Sequence, residues 1–270
     1  MAHPNYIKMH IRTVPELLRD CAETMYQRVK NTLEDEKLEQ TQMVVMTGCG
    51  YSYAAACNGA EFIEKIAGIP ARALYSVDAS RHQSLDVLPK GEQTLFIGVS
   101  GSGVVARVAE GLMRFRTKGV YAVAFSGDMQ SKCARAAQVT VDISTPTVNI
   151  ERGLPLRGYV ATLLAFCGVA WRIAILQGRK SEAERLAFYE DLVVSADELQ
   201  KTLPEIEHQV SDFARKVYQT ASVLGQVSSP HGWGVRSWWD RQEYLVWSAV
   251  QKIGSTPLFL QQGRRRFPLC

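Results

Sequence analysis

Twice in this chain an apolar run ends in a glycine- and serine-rich turn that opens into a helical pattern. Met43-Val44-Val45-Met46 leads into Thr47-Gly48-Cys49-Gly50-Tyr51-Ser52-Tyr53, and Thr94-Leu95-Phe96-Ile97 leads into Gly98-Val99-Ser100-Gly101-Ser102-Gly103. Short apolar runs bounded by glycine read as buried strands, so each unit is a strand, a tight turn and a helix N-terminus. Strands that alternate with helices require parallel pairing through right-handed crossovers. The expected fold is therefore α/β: a three-layer α/β/α sandwich around a doubly wound parallel sheet.

The pattern predicts strands over 42–47, 72–76, 94–99, 120–125 and 138–142, with helices over 52–67 and 103–118 and a short one near 129–136. Ahead of the sheet, Leu17, Leu18, Cys21, Met25, Val29 and Leu33 recur at helical spacing, which predicts one or two helices between Val14 and Leu38. Behind it, Leu156 to Leu176 is strongly apolar. Its small residues and its Arg157 and Arg172 point to a buried or interface helix rather than a membrane span. Residues 181–219 read as charged amphipathic helices broken at Pro204.

The domain organisation expected from this pass is N-terminal helices over 1–40, the phosphate-binding α/β domain over 41–178, a helical connector over 179–220 and a partial or divergent second half over 221–270. Ala221-Ser222-Val223-Leu224-Gly225 repeats the strand-then-glycine opening, but the residues after it do not continue the pattern. Trp233, Trp238, Trp239 and Trp247 crowd there with Arg264-Arg265-Arg266. Two accounts compete: a divergent interaction surface, or a chain truncated or changed in frame after Gly225.

Gly/Ser turns at helix N-termini suit one chemistry above others. Glycine lets the backbone approach a ligand closely, while hydroxyls and first-turn N–H groups are donors, so the natural guest is a phosphate. Ser52, Ser100 and Ser102 are the candidate side-chain ligands, with the backbone of Gly50, Tyr51, Gly101 and Gly103 beside them. The first turn has Ala54 and Ala55 where a dinucleotide fingerprint needs its third glycine, and the second lacks a Gly-Lys-Ser/Thr ending. A small ligand carrying one phosphate fits better than a nucleotide. No Gly-x-Ser-x-Gly elbow occurs, which argues against a serine hydrolase.

Cys49-Gly50-Tyr51-Ser52-Tyr53 resembles the C-G-T-S-Y segment of sugar isomerase (SIS) domains, and Ser100-Gly101-Ser102-Gly103 resembles their S-Q-S-G segment. Asp78-Ala79-Ser80 is similar to the short turn after that family's second strand, and Glu151-Arg152-Gly153-Leu154-Pro155-Leu156-Arg157 stands for its E-x-G-V-A-S-T-K stretch. The resemblance covers about residues 40 to 175. It implies a phosphosugar ligand and a reaction of the aldose–ketose isomerase, deglycase or deaminase kind. It also places Val105 where the family has a phosphate-binding threonine. Two-domain members have a further catalytic helix and a His-Gly-Pro segment that are not recognisable here.

Such reactions move a proton between adjacent carbons, so they need a base. Glu151 follows the last expected strand and is the candidate; an ordinary carboxylate at a helix N-terminus is the alternative. His82, in the loop after the second strand, is the candidate for assisting ring opening, against a surface histidine without a role. Besides an enzyme, a non-catalytic sugar-phosphate sensor and a truncated enzyme keeping only its first domain satisfy the same residues.

The remaining composition narrows the partners. A net charge of +4, with a single short basic run at Arg264-Arg265-Arg266, gives no argument for nucleic acid. The six cysteines form no C-x-x-C pair and the five histidines are dispersed, so neither a metal nor another cofactor is expected. With no recognised leader, a reduced cytoplasmic protein that does not engage a membrane is expected. The apolar segment after Arg157 and the tryptophan-rich tail lead to the expectation of a homodimer or larger assembly.

Overall fold

The computed structural model describes residues 5–89, 91–150 and 155–218. Three helices, α1 (Tyr6–Arg12), α2 (Val14–Thr32) and α3 (Asp35–Gln40), precede strand β1 (Met43–Gly48). Then follow α4 (Tyr51–Phe62), β2 (Ala71–Tyr75), β3 (Thr94–Val99), α5 (Ala106–Arg116), β4 (Tyr121–Ser126), α6 (Lys132–Ala136) and β5 (Val139–Asp142). Two long helices, α7 (Leu156–Leu176) and α8 (Glu182–Tyr218), complete the described chain. The expected second half over 221–270 lies outside the described residues.

Burial sorts the strands. β3 and β4 are buried along their whole length and β1 along all but its first residue, while β2 and β5 are only partly buried. Continuous apolar runs are what a parallel sheet covered on both faces demands. The order across the sheet is β2-β1-β3-β4-β5, with every neighbouring pair parallel. The chain thus moves outward from β1 to β2, then returns past β1 to build β3, β4 and β5 on the other side. That reversal puts successive crossovers on opposite faces, which is the doubly wound arrangement the sequence predicts.

The two faces have distinct packing. On one, Val45, Phe96, Ala122 and Ala124 of the sheet meet Val108, Leu112 and Phe115 of α5 and Cys133 and Ala136 of α6, with the Phe96 and Phe115 rings stacked at 3.7 Å. On the other, α7 lies against the sheet and α4, with Phe125 and Phe166 at 5.0 Å and Gly59 of α4 directly under the Phe166 ring. α2 closes over α7, where Gly168 abuts Val29 and the Tyr26 backbone. α7 is long and apolar enough to cross a membrane by length and composition, but 72% of that apolar stretch is buried inside the protein. It is the buried helix the sequence suggests.

Several boundaries differ from the expected ones for physical reasons. The predicted helix 103–118 begins only at Ala106, because Gly103 takes a left-handed φ of 67° and Val105 is an extended N-cap. The predicted helix 52–67 is α4 followed by one π-helical turn over Ile63–Ala67. The short helix near 129–136 starts at Lys132, where the Ser131 side chain accepts from Ala134 N. The expected break at Pro204 does not occur: α8 runs through it. Proline removes one N–H bond, and the Glu, Leu, Gln and Lys residues around it are strong enough helix formers for the helix to continue.

One buried arginine fastens the start of α8 to α2. Arg185 is 2% exposed, lies 4.0 Å over the Tyr26 ring and 5.1 Å from that of Tyr189, and pairs with Glu23 and Glu182 at 2.6 Å each. The carboxylates stay about half exposed, so they rehydrate when the arginine is removed. The lost guanidinium packing and cation–π contact set the cost. Arg185→Ala should therefore lower stability by about 1–2 kcal/mol, below the cost of breaking a fully buried pair, and urea unfolding measures this directly.

A second outcome concerns alkali. Burial pushes the Tyr159 phenol and the Cys167 thiol up to about 12, and burial together with the neighbouring Cys57 does the same to Tyr53. The same groups ionise nearer 10 and 9 when unburied. A folded-state pKa above the unfolded one gives stability that is whole below the unfolded value and lost as pH rises toward the folded one. The thermal midpoint should fall steadily between about pH 9 and pH 12, and a flat midpoint across that range would contradict the assignment.

Candidate functional site

Both Gly/Ser turns open at the C-terminal ends of adjacent parallel strands, β1 and β3, whose Thr47 and Gly98 are register partners. This is where the strand order reverses, so the crossovers leave in opposite directions and a crevice opens between them. In doubly wound sheets that switch point is where ligands bind. Ser52 and Ser100–Ser102 therefore face the same edge of the sheet.

The first turn is compressed. Gly48 lies so close to the start of α4 that a Cβ there would come within 2.5 Å of the Ser52 backbone. Ser52 N donates to Cys49 O at 3.2 Å, and Tyr53 N and Ala54 N both donate to Gly50 O at 3.1 Å. Gly50 is the N-cap of α4, so no side chain caps this helix. Val105 is the N-cap of α5, which likewise has no side-chain cap. Two helices thus bring the positive ends of their dipoles to one edge of the sheet with no side-chain cap, although in α4 the N–H groups of Ser52, Tyr53 and Ala54 are already taken up by the backbone of the turn.

The second turn is braced from below. Ser100 N donates to Phe125 O at 3.0 Å, Gly103 N to Ser100 O at 2.8 Å, Gly127 N to Gly101 O at 2.9 Å and Cys133 N to Gly103 O at 3.0 Å. Gly103 has no room for a side chain: a Cβ would sit 2.0 Å from Ser131 Oγ and 2.8 Å from Ser126 Oγ. Those two hydroxyls, 3.3 Å apart, form the floor on which the turn rests. Within this brace Ser100 is 1% exposed, and its Oγ is buried without a hydrogen-bond partner of proper geometry. Its polar neighbour is the Cys133 thiol, which burial pushes up and the serine hydroxyl partly offsets. A buried hydroxyl held without a full partner is costly unless something else completes it.

Of the other residues expected in the site, Gly50, Gly101 and Ser102 are exposed on the turns and Tyr51 begins α4. His82 is exposed at the end of a π-helical turn over Asp78–His82. Arg114 of α5 holds that segment through Ala79 O at 3.0 Å and Gln83 O at 2.6 Å, so His82 is carried along the flank of α5. Glu151 lies outside the described residues.

Several residues join the site that the sequence reading did not single out. Tyr75, the last residue of β2, is the register partner of Gly48. Its hydroxyl is 3.2 Å from Cys49 Sγ, and its ring meets that of Tyr53 edge-on, with centroids 5.2 Å apart and planes at 85°. The Cys49 contact, more than burial, pushes the Tyr75 phenol upward. Asp78 is near enough for its charge to add to the rise at Tyr53, so a carboxylate does approach the first turn. Ser126 and Ser131 belong to a third strand-to-helix turn. Phe125-Ser126-Gly127 after the apolar 121–125 run was the available signal for it.

Comparison with known proteins agrees with this geometry. The family model of the SIS domain matches residues 37–167. Over 87 residues the chain is 34% identical to glutamine–fructose-6-phosphate aminotransferase (isomerizing) of Aquifex aeolicus strain VF5, a segment covering 32% of this chain and 14% of that protein. The C-terminal domain of glucosamine-fructose-6-phosphate aminotransferase from Francisella tularensis shares the fold with a TM-score of 0.66 at 17% identity, over 81% of this chain and 61% of that one. A Salmonella typhimurium LT2 protein described as sugar binding gives 0.66 at 17% identity over 80% and 64%. The chain spans a small part of the Aquifex protein and less than two thirds of each structural relative. The parallel sheet and the two turns at its switch point thus lie within the stretch, residues 37–167, that matches the SIS-domain family.

Proposed function

We propose that this chain binds a phosphorylated sugar, or a sugar–amine adduct, in the crevice between the β1 and β3 turns, with the phosphate held by Ser52, Ser100 and Ser102. The observation that carries this reading is the buried Ser100 Oγ, without a hydrogen-bond partner of proper geometry, in the turn that opens beside the β1 turn at the switch point of the sheet. That hydroxyl lacks an acceptor, and a phosphate supplies several charged ones. The backbone N–H of Gly101 adds to the set, whereas that of Gly103 is already engaged by Ser100 O at 2.8 Å, and Val105 contributes no hydroxyl where the resemblance would have placed one. Names of the relatives support the ligand class, since the Aquifex and Francisella proteins are both named for fructose 6-phosphate.

The reaction we propose is proton transfer between adjacent sugar carbons, in the manner of an aldose–ketose isomerase or a deglycase, with Glu151 as the base and His82 assisting ring opening. Support for these two roles comes from the sequence alone. A sensor that binds without turnover shares the phosphate site, and the two readings part at Glu151. Association of copies, in the cytoplasm, belongs to the same proposal. Part of its sequence argument has gone, because the apolar face of α7 is turned inward, and the tryptophan-rich remainder lies outside the described residues.

A phosphorylated sugar at a hundred times its dissociation constant should stabilise the chain by about 2.7 kcal/mol. Ser100→Ala removes a donor to a charged group, worth about 1.5–3 kcal/mol, and should weaken binding roughly 10- to 150-fold. Without ligand the same variant should be as stable as the parent or slightly more so, because it deletes an unsatisfied buried hydroxyl. Thermal shift with fructose 6-phosphate and related sugar phosphates reads both effects. Binding unchanged in Ser100→Ala would sink the phosphate assignment, and turnover surviving in Glu151→Gln would remove Glu151 as the base.

A further inference from the structure

Tyr75 is an aromatic side chain at the C-terminal end of β2, beside the β1 turn on the same edge of the sheet, and is 40% exposed. Three features fix it. Its register partner on β1 is Gly48, against which the start of α4 packs, so that helix comes up beside the ring. Its hydroxyl is engaged at 3.2 Å with the Cys49 thiol. Its ring is supported edge-on by Tyr53, the residue directly after the candidate phosphate ligand Ser52. Val77, just before the π-helical turn that follows β2, and Val104, in the β3 turn, are 38% and 61% exposed. The edge that presents phosphate donors therefore also carries exposed apolar side chains.

We propose that Tyr75 is the residue that reads the carbon skeleton of the ligand, with the C–H face of a phosphorylated sugar lying over its ring while the phosphate sits in the turns. This rests on the phosphate site proposed above. An inorganic anion gains nothing from an aromatic surface, whereas a sugar phosphate buries apolar C–H area against it. A ring already locked by Tyr53 and Cys49 loses little side-chain freedom when it is covered, so the contact adds to affinity without an ordering cost. Tyr75 is thus a specificity-determining residue that separates organic phosphates from phosphate itself.

Calorimetric titration of the full chain with inorganic phosphate and with fructose 6-phosphate tests this, using the parent, Tyr75→Ala and Tyr75→Phe, with circular dichroism to confirm the fold of each. In Tyr75→Ala, fructose 6-phosphate should bind about tenfold more weakly while inorganic phosphate stays within about twofold. Tyr75→Phe keeps the ring and should stay within about threefold for both ligands. Equal losses for the two ligands in Tyr75→Ala would mean that the residue only props the first turn, and would overturn the inference, as would no loss for either. Fructose 6-phosphate binding the parent no more tightly than phosphate would also overturn it. Phosphate binding that is absent in the parent, or indifferent to Ser100→Ala, would instead overturn the anion site, and this inference with it.

Discussion

A parallel sheet has to hide both of its faces, and that requirement organises this protein. Helices can cover both sides only if the chain reverses its direction of strand addition, and here it does so at β1. Two consequences follow. The central strands become continuous apolar runs with no polar face, and the C-terminal ends of β1 and β3 are left side by side with no crossover passing over them. The crevice is therefore a by-product of the topology. Its chemistry is added by the residues that fill the two turns.

Rigidity at the crevice comes from the same packing. The β3 turn is hydrogen-bonded to β4, to Gly127 and to the start of α6, so it cannot move without disturbing the core strands. The β1 turn is pressed against the start of α4 at Gly48. On the far face, α7 gives up its apolar surface to α4, α2 and the sheet, and Arg28 of α2 ties the end of β5 through Asp142 O at 3.0 Å and Ser144 O at 2.8 Å. Both turns thus sit on a scaffold braced from each side, which is how a binding site on loops acquires the precision of one on strands.

What the sequence disclosed follows from how local each feature is. The strands were legible because Met43–Met46, Thr94–Ile97 and Tyr121–Phe125 are short apolar runs with turn residues close behind them, whereas the apolar stretch of α7 is far too long for a strand. The two turns were legible for the same reason. Boundaries were less so: nothing local says that Val105 is extended rather than helical, because its conformation is set by Gly103 fitting against Ser131. Pro204 misled because one lost hydrogen bond is a local penalty, while its flanking residues favour the helix collectively. Tyr75 could not be found at all, since its place beside Gly48 and Cys49 depends on the register of β2 on β1, which the sequence does not encode nearby.

The second turn shows why site and stability pull apart here. Ser100 follows a strand whose residues are all buried, and its backbone is fully used, the N–H by Phe125 O of β4 and the carbonyl by Gly103 N within the turn. An alanine would satisfy every requirement of that position in the fold. The hydroxyl adds a buried group whose thiol neighbour, Cys133, gives it no hydrogen bond of proper geometry, whereas Ser126 and Ser131 under the same turn are satisfied by each other and by nearby backbone. Folding alone would not favour such a group, and local rules that are broken at one point within an otherwise consistent structure mark places selected for something else. The turn glycines point the same way. Gly103 is required by the serines beneath it, while Gly101 has open space around it and no steric reason to lack a side chain. Residues that the scaffold needs and residues for which it shows no need are interleaved within four positions, and the second set is what distinguishes this turn from an ordinary strand-to-helix connection.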